Sequence, residues 1–185
     1  MRIRVLVAVA VFAGPLTAAP VPKGAEQKPL YFPTAVGAKW VYETPGGELE
    51  SAVVSAVQKG DDGSLTVSRT GADGTRVAYS DVIVSAAGLR QQRDAADRLG
   101  WVLKATAKAG DSWDSPEGKR TVSGPEEVKV PAGTFNALRV DWEQSGASHT
   151  SWYAIGVGEV KRVRKLDGTE TVTRALKSFQ LKAEK

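Results

Sequence analysis

The chain is cut into short stretches of strand-forming residues by turns rich in Asp and Gly, and the turns follow one another too closely to leave room for crossover helices. Lys39–Thr44 stops at Pro45-Gly46-Gly47, Glu48–Gln58 at Gly60-Asp61-Asp62-Gly63, and Ser64–Thr70 at Gly71-Ala72-Asp73-Gly74. Thr75–Ser85 and Trp101–Ala105 follow, then Arg120–Ser123, Glu127–Val130, Thr134–Glu143 and Thr150–Ala154. Glu159–Lys165 and Thr169–Leu181 close the series, joined by Asp167-Gly168. Gly and Asp supply the positive φ that tight hairpins need. Parallel neighbours require a long crossover, so these runs must pair antiparallel. The expected fold is all-β: a single domain, a strongly curved antiparallel sheet or open half-barrel of consecutive hairpins, with at most one short helix.

Side-chain alternation agrees along part of the chain. Leu138, Val140 and Trp142 fall on one face of a strand, with Arg139, Asp141 and Glu143 on the other. Leu65 and Val67 alternate with Thr66 and Ser68. Elsewhere the phase slips: Val160 and Val163, or Leu176 and Phe179, cannot share a face of a regular strand. Bulges, as in a coiled sheet, account for such slips. Leu89–Leu99 (LRQQRDAADRL) is polar and rich in helix formers, and reads equally as a short helix or a hairpin tip.

The N-terminus reads as an export signal. Arg2 and Arg4 precede a nine-residue apolar run, Val5 to Ala13, followed by Gly14-Pro15 and the small residues Thr17, Ala18 and Ala19. Roughly 20 apolar residues are needed to span a bilayer, so this run is a signal rather than a spanning helix. Residues 1–19 are assigned to the signal, 20–30 to a flexible Pro-rich leader, and 31–182 to the all-β domain. Localisation is expected to be periplasmic or extracellular, with no transmembrane span once the signal is removed.

Several chemistries lack their residues. The chain has 185 residues with no Cys and one His. That leaves no disulfide, no thiolate site and no material for a multi-histidine metal site. The formal charge of +4 falls to +2 when a signal carrying two basic and no acidic residues is removed. Nucleic acid is therefore not expected as a partner, since phosphate binding needs a clustered positive face. No cofactor is expected: Gly156-Val157-Gly158 has Lys161 where a dinucleotide fingerprint needs a third Gly. Those glycines suit a bulge or a close backbone approach instead. No G-x-S-x-G or S-x-x-K occurs, and His149, within Ser145–Ser151, reads as a solvated histidine at a hairpin tip. Asp61-Asp62, or Asp94 with Asp97, lack the spacing of a calcium loop. Glu126 and Glu127 are adjacent in a strand and point to opposite faces.

Three segments carry a resemblance. They are Tyr31-Phe32-Pro33 leading through Gly37 to Trp40 and Tyr42; Val130-Pro131-Ala132-Gly133-Thr134-Phe135 with Leu138-Arg139-Val140; and Trp152-Tyr153 through Gly156 and Gly158 to Val160-Lys161. Gly110-Asp111-Ser112-Trp113 fits between the first two. In this order the set resembles a broad group of exported bacterial β-rich proteins and lipoproteins, most of them without a known activity. The resemblance implies a curved antiparallel sheet or open barrel in the cell envelope. Some lipoprotein carriers with similar half-barrels close an apolar cavity with helices, which this chain almost lacks; it also lacks the Cys that many members lipidate.

Candidate binding residues are few. Trp40, Trp142 and Trp152 would line an apolar groove if the sheet is open, although core packing is the commoner use of tryptophan. Lys161, Arg162, Arg164 and Lys165, with Arg174 across the hairpin, form a basic patch suited to an anionic surface or to guarding a strand edge. The expected function is a non-catalytic exported binding module whose partner is an apolar ligand or an envelope protein. The alternative is a structural protein that assembles through a sheet edge. A hydrolase ranks third.

Overall fold

The computed structural model describes residues 30–75, 81–92 and 99–181. The signal at 1–19 and the leader as far as residue 29 lie outside them. Twelve strands make one antiparallel sheet: β1 (Lys39–Glu43), β2 (Leu49–Lys59), β3 (Leu65–Thr70), β4 (Val82–Ser85), β5 (Gly88–Gln92) and β6 (Leu99–Lys104), then β7 (Ser112–Ser115), β8 (Gly118–Val130), β9 (Gly133–Gln144), β10 (Ala147–Ala154), β11 (Gly158–Leu166) and β12 (Thr169–Gln180). No helix occurs among the described residues, and the all-β expectation holds.

The strand order is β6-β5-β4-β3-β2-β1-β12-β11-β10-β9-β8-β7. Every consecutive pair is a hairpin except β6 and β7, and the one non-local ladder joins β1 to β12. The sheet coils into a nearly closed barrel whose seam lies at mid-chain. There the Trp113 indole N–H of β7 donates to the Trp101 carbonyl of β6 at 3.1 Å.

Two turns share one device. Asp62 Oδ1 accepts the Ser64 amide at 3.0 Å and its hydroxyl at 2.6 Å, and Asp73 Oδ1 treats Thr75 in the same way at 3.0 and 2.7 Å. These local bonds pin the β2–β3 hairpin and the turn after β3. The Asp62 carboxylate is therefore committed to its turn. Among the described residues no three His, Asp or Glu gather to hold a metal ion; Asp94 and Asp97 lie outside those residues.

The phase slips are bulges. Against β10, Trp152 pairs with Lys161 and Tyr153 with Glu159, so Val160 is an extra residue in β11, and Val160 and Val163 are both buried. A second shift between Val41 and Tyr42 reconciles Leu176 with Phe179. A third merges Arg120–Ser123 and Glu127–Val130 into the single long β8, bent between Val122 and Pro125. Leu89–Leu99 is strand at both ends, paired Leu89 with Leu103 and Gln92 with Leu99, while residues 93–98 fall outside the described set.

Inward-facing apolar side chains fill most of the barrel, with Trp40, Val54, Val67, Val84, Leu103 and Leu176 almost wholly buried. The segment before β1 closes one end. The Gly156 amide donates to the Leu30 carbonyl at 2.8 Å, and the Phe32 ring lies 5.2 Å from that of Trp40. Gly158 has φ +93°, and a Cβ there would stand 3.1 Å from the Phe32 ring. Glycine is thus required both by the backbone and by the close approach. The first and third segments of the resemblance meet at this point.

Candidate functional site

One row of residues crosses five strands on the inner face: Val122, Val140, Ser151, Arg162 and Arg174 stand opposite one another in successive ladders. The row begins apolar and ends in two guanidiniums. Next to them β1 and β2 contribute Tyr42 and Glu50, which are register partners. A cavity of about 250 Å³ opens here. Its apolar wall is Phe32, Ala52, Val82, Leu89 and Val102. Its polar wall brings Glu159, Arg162 and Arg174 together with Glu50 and Arg69, completed by Tyr42, Tyr153 and Gln91.

Glu159 is the hub. Its Oε1 accepts the Ser151 hydroxyl at 2.6 Å and Arg162 Nε at 2.8 Å; its Oε2 accepts Arg162 Nη2 at 3.0 Å and Arg174 Nη1 at 3.4 Å. Arg174 also pairs with Glu50, and its guanidinium lies 4.5 Å from the centre of the Tyr42 ring. The Tyr42 hydroxyl donates to the Glu159 main-chain carbonyl at 2.9 Å. Burial alone would raise the Glu159 pKa, but Arg162, Arg174 and the Ser151 hydroxyl win and hold it at about 2. The Glu159 carboxylate in return raises the pKa of Arg162. Burial pushes the Tyr42 phenol up, so it stays protonated. Burial pulls Arg69 down, against the raising influence of Tyr42.

The sequence-derived candidates disperse. Trp40 sits in the core beside the plug, its indole N–H donating to the Val157 carbonyl at 2.7 Å. Trp142 is held between the Arg120 guanidinium, 4.3 Å from its ring centre, and the His149 ring, stacked at 5.1 Å. Trp152 turns to the outer face, near Lys161 and Arg139, with its N–H on Glu126 at 2.5 Å. None of the three lines the cavity. Of the five basic candidates, Arg162 and Arg174 line it, Lys161 packs outside on Trp152, and Arg164 and Lys165 are exposed.

His149 is not at a hairpin tip. The strand begins at Ala147, three residues before the Thr150 expected from the sequence, so the imidazole lies within β10 and stacks on Trp142. Burial, with the charges of Arg162 and Arg164, lowers its pKa.

Tyr42, Glu50, Arg69 and Glu159 escape a reading built on aromatic and basic clusters. One signal for Arg69 is visible in the sequence: Leu65, Val67 and Arg69 share a phase, so the alternation that buries Val67 turns Arg69 inward as well.

The barrel has counterparts among solved structures. A lipoprotein candidate from Parabacteroides distasonis superposes with a TM-score of 0.56 at 15% identity, over 84% of this chain and 100% of that one. The likeness is one of fold. A candidate exported protein with a YmcC-like fold from Bacteroides fragilis gives a TM-score of 0.49 at 13% identity, over 83% and 100% of the two chains. No protein-family model matches the chain, and no curated protein does.

Proposed function

We propose that this chain is an exported, non-catalytic binding module whose site is the interior cavity. The observation that carries the reading is the division of that cavity into an apolar wall and a charged one. Ligand sites are concave and mostly apolar, with a few placed polar groups. Export is supported by the signal-like residues 1–19 and by the kind of protein that shares the fold. The non-catalytic reading follows from the chemistry of the interior groups. A carboxylate clamped by two guanidiniums, with a pKa of about 2, is a weak base and has no proton to give near neutrality. His149 stacks on Trp142 and does not line the cavity.

Assembly through a sheet edge has less support, because the edge strands β6 and β7 face each other across the seam. The test is native mass spectrometry of the protein recovered after export, before and after denaturing organic extraction. A reproducible extra mass that extraction removes is the expected result. A bare protein mass, with an oligomer that persists on dilution, would transfer the proposal to edge assembly.

A further inference from the structure

The polar wall of the cavity is satisfied from within. Glu159 accepts from Ser151, Arg162 and Arg174, and both carboxylate oxygens of Glu50 accept from Arg174. The Tyr42 hydroxyl is committed to the Glu159 main-chain carbonyl, and Arg69, Gln91 and Tyr153 are engaged as well. Buried polar atoms without a hydrogen-bond partner do occur among the described residues, such as Arg90 Nε, Ser115 Oγ and Trp142 Nε1, but none belongs to a residue that lines the cavity. Beside this closed network stands the apolar wall from Phe32 to Val102, whose side chains have no hydrogen bond to give or take.

Resting on the cavity as the binding site, we infer that its ligand is a small uncharged molecule, apolar along most of its length, and that the paired charges act as a filter against ions. An ionised group entering the cavity leaves its hydration behind and finds the charged partners already taken. A carboxylate would have to displace Glu50 or Glu159 from Arg174, and an ammonium would have to draw one of those carboxylates away. Either exchange strands a charge that burial has made dependent on its partner. An uncharged chain lies along Ala52, Val82, Leu89 and Val102, gains their apolar surface and leaves the ion pairs intact. The size agrees: about 250 Å³ is the share of roughly eight waters at ~30 Å³ each, which suits a ligand of about eight to ten heavy atoms.

Isothermal titration calorimetry of the full chain at pH 7 with 1-octanol, octanoate and octylammonium tests this. 1-Octanol is expected to bind about tenfold or more tightly than either ion. Glu50→Gln takes one carboxylate from Arg174, so octanoate should gain about fivefold or more on 1-octanol, a change of ratio that general damage to the fold would not produce. An unchanged ratio overturns the filter. Ala52→Leu narrows the apolar wall and should weaken 1-octanol about tenfold; undiminished binding would place the alcohol outside the cavity and overturn the inference. Equal binding of all three by the unmodified chain, preference for either ion, or binding of none overturns it as well. The mass-spectrometric comparison then separates the two readings: a carried ionic molecule keeps the binding module and removes the uncharged ligand, and no carried mass removes both.

Discussion

The Trp113 indole N–H reaches the Trp101 carbonyl at 3.1 Å and so spans the one gap in the strand order that no ladder closes. Both residues are tryptophans, yet they serve unlike roles: Trp113 gives its side chain, while Trp101 gives only its main chain to this bond.

Trp113→Phe keeps an aromatic ring at this buried position but removes the donor together with part of the packed volume. A net loss of about 1 kcal/mol is expected from the missing hydrogen bond. The stronger mark is local: hydrogen exchange should quicken at the amides of β6 and β7 and stay unchanged at the β1–β12 ladder. Uniform acceleration would show that the bond contributes to global stability without securing the seam.

Glu159→Gln leaves Arg162 and Arg174 facing each other across the inner row with their shared acceptor neutralised. Breaking such a cluster by one member costs roughly 3–5 kcal/mol. Adding Arg162→Gln should recover part of that, since Arg174 keeps Glu50 as its partner. Urea denaturation of the two single variants and the double variant measures the coupling. Additive losses would mean that the groups stabilise the barrel independently.

Acid should weaken the fold in two separate windows. The folded-state pKa of His149 is lowered, so its contribution is present above the ordinary value of 6.5 and is lost as pH falls below it. The folded-state pKa of Glu159 is also lowered, to about 2 from 4.5, so its contribution is present above 4.5 and is lost as pH falls towards 2. The urea midpoint should fall gently below pH 6.5 and steeply below 4.5. His149→Phe should abolish the first decline and Glu159→Gln should flatten the second; a profile unmoved by both would refute the assignment.

Gly158→Ala combines two penalties, a positive φ and a Cβ 3.1 Å from the Phe32 ring. Together they should cost about 1–3 kcal/mol. Phe32→Leu in the same chain should relieve the contact without relieving the backbone. A thermal melt that is fully restored in the double variant would assign the whole effect to the ring.

Most of the architecture is legible because the turns announce it. Gly60-Asp61-Asp62-Gly63 and Asp167-Gly168 mark hairpins unaided, and the phase slips at Val160/Val163 and Leu176/Phe179 locate real bulges. The β1–β12 ladder is not legible, since no local signal tells Trp40 to lie opposite Phe179. The site is harder for a related reason. Glu159 and Arg162 look like ordinary surface charges in a basic run, and only a bulge in β11 turns both inward. Arg69 is the exception, because its phase can be counted from Val67.

The β1–β12 ladder also fixes an order of events. The six strands to β6 form one meander and the six from β7 form another, and the two halves join through β1 and β12, with the Trp113 bond across the seam. β12, made after the other eleven strands, is thus the keystone at the centre of the sheet. Until Thr169–Gln180 arrives, Tyr42 and Glu50 sit in one half and Glu159 and Arg162 in the other, without the Arg174 that bonds to both carboxylates. The polar interior therefore assembles only once β12 is in place, and a product stopped short of β12 would hold two partial sheets and no cavity.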